Sequence, residues 1–120
     1  MIDELQARHL AAQWTESWNN HDLDSIMSHY ADDVVLISPV AARILGDPAG
    51  KVSGKAALRA YFKRGLDVYP NLRFELTDVM WGLASVVLYY SNQNGSKTGE
   101  YMEIGADGKV TKVVANYSGL

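Results

Sequence analysis

Apolar residues in the first half of the chain recur at helical spacing and predict three helices separated by one strand. The first helix is predicted from a single apolar face at i, i+3, i+4, i+7 and i+11, formed by Ala7, Leu10, Ala11, Trp14 and Trp18. A short second helix follows around residues 23–30, and a third begins at Gly54 and directs Leu58, Tyr61, Phe62 and Leu66 inward. Between the second and third helices, residues 34–37 form a β-branched run typical of a buried strand.

The second half of the chain has the patterns of strands and hairpins. Phe74, Leu76 and Met80 recur at every second position from 74 to 80, interrupted only by Asp78, and this alternation indicates a half-buried strand. Asn94-Gly95 and Asp107-Gly108 are strong hairpin signals and separate three further strands. Four consecutive antiparallel strands after three helices predict an α+β fold. A curved antiparallel sheet wrapped over three N-terminal helices would form a cone and enclose an apolar pocket.

Residues 38–53 interrupt both patterns. This segment contains Pro39, Pro48, Gly46 and Gly50, which predicts a long loop with at most one turn of helix around residues 41–45. Loops of this length are usually functional or mobile.

Length and composition define the class of protein. The 120 residues are 48% hydrophobic and predict a single domain over residues 1–120. The net charge of −3 argues against a nucleic-acid partner, and the absence of cysteine excludes disulfides and thiolate chemistry. Neither an apolar span nor a basic, apolar leader is visible, so we expect a cytoplasmic protein without a membrane partner. No metal-ligand spacing appears, and no cofactor or metal is expected.

Several short segments together resemble a known superfamily. They are Trp18-Asn19-Asn20-His21-Asp22, Tyr30-Ala31-Asp32-Asp33-Val34, Ser38-Pro39-Val40, the segment from Gly54 to Phe62, and Ala106-Asp107-Gly108-Lys109-Val110. In order and spacing the chain is similar to the SnoaL-like and ketosteroid isomerase-like group of the nuclear transport factor 2-like superfamily. The resemblance implies a cone-shaped α+β barrel with a deep apolar pocket, usually a homodimer paired through its sheet faces.

The same resemblance argues against steroid isomerase activity. Alignment with the isomerases puts Ser38 where the carboxylate base belongs and Trp14 where the oxyanion-binding tyrosine belongs. Of the hydroxyls that support that tyrosine, Tyr30 matches and Phe62 does not. Glu100 falls at the position of the protonated acid. Since base and phenol are both missing, function must be argued from the residues that remain.

Glu100 is the first catalytic candidate. It shares strand parity with Met102, which turns it toward the predicted pocket, whereas an exposed glutamate at the strand edge is the alternative. No lysine or arginine lies at inward parity nearby, because Lys97 has the opposite parity. Desolvation without a cation predicts a raised pKa for this carboxyl.

Asp78 is the second catalytic candidate. An unbroken strand would bury its carboxylate on the apolar face beside Met80, which is costly unless the group is paired or protonated. The alternative is a β-bulge that turns Asp78 outward.

The remaining candidates are walls of a pocket for a small apolar or weakly polar molecule. The residues predicted to contact this ligand are Trp14, Tyr30, Ser38, Phe62, Met80, Met102 and Tyr117. Trp18 and Tyr61 are predicted to be core residues instead.

Two functional hypotheses follow. The first is cofactor-independent acid–base chemistry of the isomerase, cyclase or dehydratase type on a hydrophobic carbonyl compound. The alternative is a non-catalytic ligand-binding or dimerisation domain. In either case we expect a homodimer, because Tyr101 and either Tyr89 or Tyr90 face outward from the late strands.

Overall fold

The apolar face predicted at the N-terminus forms helix α1 in the computed structural model, which describes residues 1–119. Asp3 caps this helix by accepting a hydrogen bond from the backbone N–H of Gln6 at 2.8 Å. The elements are α1 (Glu4–Asn19), α2 (Leu23–Met27), β1 (Tyr30–Ile37), α3 (Pro39–Leu45), β2 (Lys51–Ser53), α4 (Lys55–Val68), β3 (Glu75–Trp81), β4 (Ser85–Ser91), β5 (Lys97–Ile104) and β6 (Val110–Ser118). The helices pack against one curved, unclosed sheet, which confirms the predicted α+β cone.

The sheet is larger than the prediction. Its strand order is β2-β1-β6-β5-β4-β3, and β3 to β6 form the predicted antiparallel series. Strand β1 begins at Tyr30 instead of Val34 and runs parallel to β6, with Tyr30 opposite Val110. The first half of the chain therefore contributes two strands to the sheet that the second half builds.

Residues 38–53 are ordered elements, and the prediction of a long loop is wrong. The Ser38 side chain accepts a hydrogen bond from the backbone N–H of Val40 at 3.1 Å, Pro39 occupies the first turn, and Gly46 ends α3 at a φ of 65°. Gly50 then returns the chain to β2, which pairs with β1. The prolines and glycines of this segment are thus helix start and stop signals.

A register shift in β3 corrects two predicted site residues. The shift lies between Leu76 and Asp78, and beyond it Val79 is buried while Asp78 and Met80 are exposed. The extra residue reverses the side-chain alternation. Asp78 and Met80 therefore lie on the outer face of the sheet. For Asp78 this is the β-bulge given above as the alternative to a pocket position, and the expectation that Met80 lines the pocket is wrong.

The core includes a tightly buried row of side chains across the inner face of the sheet. Val86, Met102 and Val113 lie opposite one another on three adjacent strands and are at most 1% exposed. Met102 faces inward as predicted, but it is packed in this layer and does not line the cavity described below. Within the described residues, no helix is long and apolar enough to cross a membrane.

Candidate active site

A cavity of about 260 Å³ opens between the inner face of the sheet and helices α1, α3 and α4. Its walls are mainly aromatic: Trp14, Trp18, Tyr30, Tyr61, Phe62, Tyr69, Phe74, Tyr90 and Tyr117. The volume lies near the lower end of the range for small-molecule sites, roughly 300–1,000 Å³. The cavity therefore suits a compact ligand with a largely apolar body.

Strand register places Glu100 in the wall of this cavity. Leu88, Glu100 and Ala115 lie opposite one another on β4, β5 and β6. This row lies between the core layer that contains Met102 and a more open row that contains Tyr90 and Tyr117. Glu100 is 7% exposed, so its carboxyl group is almost fully removed from bulk water.

Burial gives the Glu100 carboxyl unusual acid–base properties. Desolvation raises its pKa from 4.5 to about 7, and a hydrogen bond that the Tyr90 hydroxyl donates to Oε2 at 3.1 Å opposes that rise. The ion pairs within residues 1–119 all lie at the surface, and none involves Glu100. A carboxyl with this pKa is present in both protonation states near neutral pH.

Four tyrosines surround the carboxyl. Burial raises the pKa of Tyr30, Tyr61, Tyr90 and Tyr117, and the negative charge of Glu100 raises each of them further. For Tyr61 the resulting pKa is about 12. All four phenols therefore stay protonated at neutral pH and serve as hydrogen-bond donors, not as bases.

Two donors in the cavity wall have no acceptor in the described part of the chain. Trp14 Nε1–H donates to the Tyr30 hydroxyl oxygen at 2.9 Å, which leaves the hydroxyl proton of Tyr30 free. Trp18 Nε1 is buried and has no hydrogen-bond partner among residues 1–119. A ligand oxygen would satisfy such donors.

Ser38 lines the cavity, and its hydroxyl group also makes contacts that support helix α3. Its Oγ caps α3 and lies 3.5 Å from the Tyr117 hydroxyl oxygen. Ser38 is 3% exposed and has no histidine beside it in the cavity. Its role in the described structure is to anchor α3 against β6.

The cavity brings together six of the predicted site residues. They are Trp14, Tyr30, Ser38, Phe62, Glu100 and Tyr117. Trp18 and Tyr61, predicted as core residues, also line it. Phe62 contacts the Trp18 ring edge-on, with centroids 4.8 Å apart, so one aromatic cluster serves as both core and cavity wall.

Sequence reasoning missed several lining residues. Tyr90 has the inward parity of β4, and Phe74, one residue before β3, shares the parity of Leu76; alternation would have identified both. Arg43 lies within the helical turn predicted around residues 41–45, but the sequence does not indicate that this helix, α3, borders the cavity. No group of three acidic or histidine side chains suited to a metal occurs among the residues described.

Comparison with known proteins now identifies the family. The model of the SnoaL-like domain matches residues 11–113. The chain belongs to the SnoaL-like family. A SnoaL-like protein of unknown function from Burkholderia thailandensis is 36% identical over 98% of both chains, with a TM-score of 0.94.

More distant structures share the fold. An NTF2-like protein of unknown function from Cytophaga hutchinsonii is 12% identical over 98% of this chain and 95% of its own, with a TM-score of 0.73. SalBIII, described as an epoxide hydrolase/cyclase-like enzyme in pyran ring formation in the polyether salinomycin, is 19% identical over 99% and 95%, with a TM-score of 0.72. No curated protein matches the chain. These two likenesses show a shared fold, whereas the SnoaL-like family rests on the domain match and on the Burkholderia structure.

Proposed function

We propose that this SnoaL-like protein binds a small, largely apolar carbonyl compound and that Glu100 moves a proton on it without a cofactor. The observation that carries the proposal is the Glu100 carboxyl, buried in the cavity wall with a pKa of about 7. A general acid–base group works best when its pKa lies near the working pH. The fold of SalBIII, described as a hydrolase/cyclase-like enzyme, supports the view that such a cavity can host chemistry.

The cavity supplies the groups that a proton transfer next to a carbonyl needs. Ionised Glu100 would take a proton from the carbon beside the carbonyl, so that a C–H bond breaks and an O–H bond forms. The electron pair moves onto the carbonyl oxygen, and the free hydroxyl proton of Tyr30 is the donor available to stabilise it. Protonated Glu100 then returns the proton to the same carbon or to another carbon of the enolate.

The test is proton exchange on 2-tetralone, a compact bicyclic ketone, in deuterated buffer at pH 7 followed by ¹H NMR. The wild-type protein is expected to accelerate loss of the C1 proton signal, and Glu100→Gln is expected to reduce the rate at least 100-fold toward background, within the usual contribution of a general base. Glu103→Gln is the matched control, because Glu103 lies on the same strand and accepts a hydrogen bond from the Tyr101 hydroxyl outside the cavity. Exchange that is unchanged in Glu100→Gln would refute the proposed role.

The rival function is ligand binding without chemistry. It is favoured by Ser38, Trp14 and Phe62, which by resemblance replace the carboxylate base, the oxyanion-binding tyrosine and a supporting hydroxyl of the isomerases. Tight binding of 2-tetralone with no exchange above background would establish this alternative.

We also propose that the protein forms a homodimer through the outer face of its sheet. Met80, Val87, Tyr101 and Val114 lie opposite one another on β3 to β6 and form an apolar row, with Tyr89 beside it. Tyr90 points into the cavity instead, which resolves the choice between the two tyrosines. A contiguous apolar patch of this kind is typical of an interface.

Tyr101→Arg is expected to convert the dimer into a monomer in analytical ultracentrifugation, because it puts two like charges into a self-complementary interface. Glu16→Arg, an exposed substitution on helix α1 away from the outer face of the sheet, is the control and should leave the sedimentation coefficient unchanged. A wild-type protein that sediments as a 13 kDa species at high concentration would contradict the proposal.

A further inference from the structure

The mouth of the cavity carries one basic side chain, that of Arg43. It and Glu100 are the only charged residues among those lining the cavity in the described chain. Arg43 is exposed, whereas Glu100 is almost fully buried, so the two groups lie at different depths. The cavity thus has an uncharged aromatic body, a carboxyl in its inner wall and a guanidinium at its opening.

Arg43 lies on the side of α3 that borders the cavity. Val40, Arg43 and Ile44 all line the cavity, so the arginine lies on the helix face directed at the cavity. The opposite side of the helix carries Leu45, a large apolar residue that is 43% exposed. Arg43 thus borders the cavity while its side chain stays open to solvent.

Arg43 has no ionic partner in the part of the chain that the structure describes. Asp47 follows four residues later, but its Oδ1 accepts a hydrogen bond from the Ala49 backbone N–H at 3.0 Å, beyond the glycine that ends α3. Across the mouth the β4–β5 turn contributes the uncharged side chains of Asn92, Gln93 and Asn94. Arg43 is therefore the charged side chain that a ligand meets at the opening among the residues that line it.

Hydrogen bonds at both ends of the 38–50 segment fix the backbone of α3, and with it the position from which the Arg43 side chain extends. The backbone N–H of Ser38 donates to Gly50 O at 2.9 Å, and the Ser38 side chain caps the helix. A Cβ at Gly50 would lie 2.5 Å from Ser38 O, so the two ends of the segment approach as closely as only glycine permits. The segment from Ser38 to Gly50 is thus an ordered part of the cavity wall, and it carries Arg43.

We propose that the ligand of this cavity carries a carboxylate or an equivalent anionic group, which Arg43 binds at the mouth while the apolar body fills the aromatic interior. A guanidinium pairs with a carboxylate through two parallel N–H···O bonds, and this geometry provides specificity as well as affinity. The inference rests on the proposed ligand-binding function and narrows the expected ligand from a neutral or weakly polar molecule to an amphipathic acid. Arg43 is then a specificity-determining residue.

The experiment compares 2-naphthoate with 2-naphthamide, which share a body and differ in charge, by isothermal titration calorimetry at pH 6. At this pH the naphthoate is ionised and the Glu100 carboxyl is mainly protonated, because its pKa is about 7. We expect the wild-type protein to bind naphthoate about tenfold more tightly than naphthamide. Arg43→Gln should abolish this preference by weakening naphthoate alone. The matched control Arg64→Gln removes an exposed arginine of α4 outside the cavity lining and should preserve it.

Three results would overturn the inference. The wild type could bind both compounds with equal affinity, or Arg43→Gln could keep the preference for naphthoate. In the third, Arg43→Gln would lower the affinity for both compounds equally. Failure of both compounds to bind would contradict the apolar ligand site itself. A naphthoate preference that depends on Arg43, combined with no exchange on 2-tetralone, would support the anion site and remove the catalytic role of Glu100. The two proposals can therefore fail separately.

Discussion

Glu100→Gln is expected to stabilise the protein above pH 7 by up to about 3 kcal/mol, although it replaces a buried residue. The folded-state pKa of Glu100 is about 7 against an ordinary value of 4.5, so between these pH values the folded state holds a proton that the unfolded state has lost. The free energy of unfolding therefore falls as the pH rises from about 4.5, and above pH 7 the whole contribution of this group has been lost. The deficit is about 3 kcal/mol, at about 1.4 kcal/mol for each pH unit.

Urea unfolding of the wild type and Glu100→Gln at pH 5 and pH 8.5 measures this effect. The glutamine keeps an acceptor for the Tyr90 hydroxyl and cannot ionise, so the two proteins should differ little at pH 5 and widely at pH 8.5. Glu103→Gln, on the outer face of the same strand, should follow the wild type. Parallel stability profiles for wild type and Glu100→Gln would show that the carboxyl is solvated.

Trp14→Ala is expected to reduce the free energy of unfolding by about 3–5 kcal/mol, the usual cost of removing a large buried aromatic side chain. Trp14 is 1% exposed and stacks on Phe74 with ring centroids 5.6 Å apart. It also donates to the Tyr30 hydroxyl oxygen. The substitution therefore opens a void and leaves Tyr30 without its donor.

Two further variants separate these contributions. Trp14→Phe keeps an aromatic ring and removes the N–H, and it should cost about 1–2 kcal/mol. Trp81→Phe changes a partly buried tryptophan outside the cavity and should cost less than Trp14→Ala by several-fold. Equal stability of Trp14→Ala and wild type in chemical denaturation would show that the aromatic cluster does not form.

The helices and late strands could be predicted because their periodicities are strong and local. The apolar face of α1 and the two hairpins needed no long-range information. The parallel pairing of β1 with β6 could not be predicted, because nothing near Tyr30 in the sequence specifies a partner 80 residues away. Propensity rules also favour a loop wherever proline and glycine cluster, although Pro39 and Gly46 here begin and end a helix.

The site was predicted where strand parity held and missed where it did not. Glu100 lies on an unbroken part of β5, so alternation placed it correctly in the cavity wall. One extra residue in β3 reversed the direction of Asp78 and Met80. The cost of a buried carboxylate at Asp78 suggested such a bulge, but alternation alone could not decide between the two orientations. Met102 shows a further limit, since parity gives the face of a sheet but not the depth along the cone.

The central claim is that the Glu100 carboxyl lies buried in the cavity and changes its protonation near neutral pH. A ¹³C NMR titration of the glutamate side-chain carboxyls, with the Glu100 signal assigned by its absence in Glu100→Gln, measures this directly. The structure predicts a midpoint near pH 7 for Glu100, because burial without a cationic partner disfavours the charged form. A midpoint near 4.5 would contradict the claim, because it would mean that the carboxyl is hydrated and ionised at neutral pH.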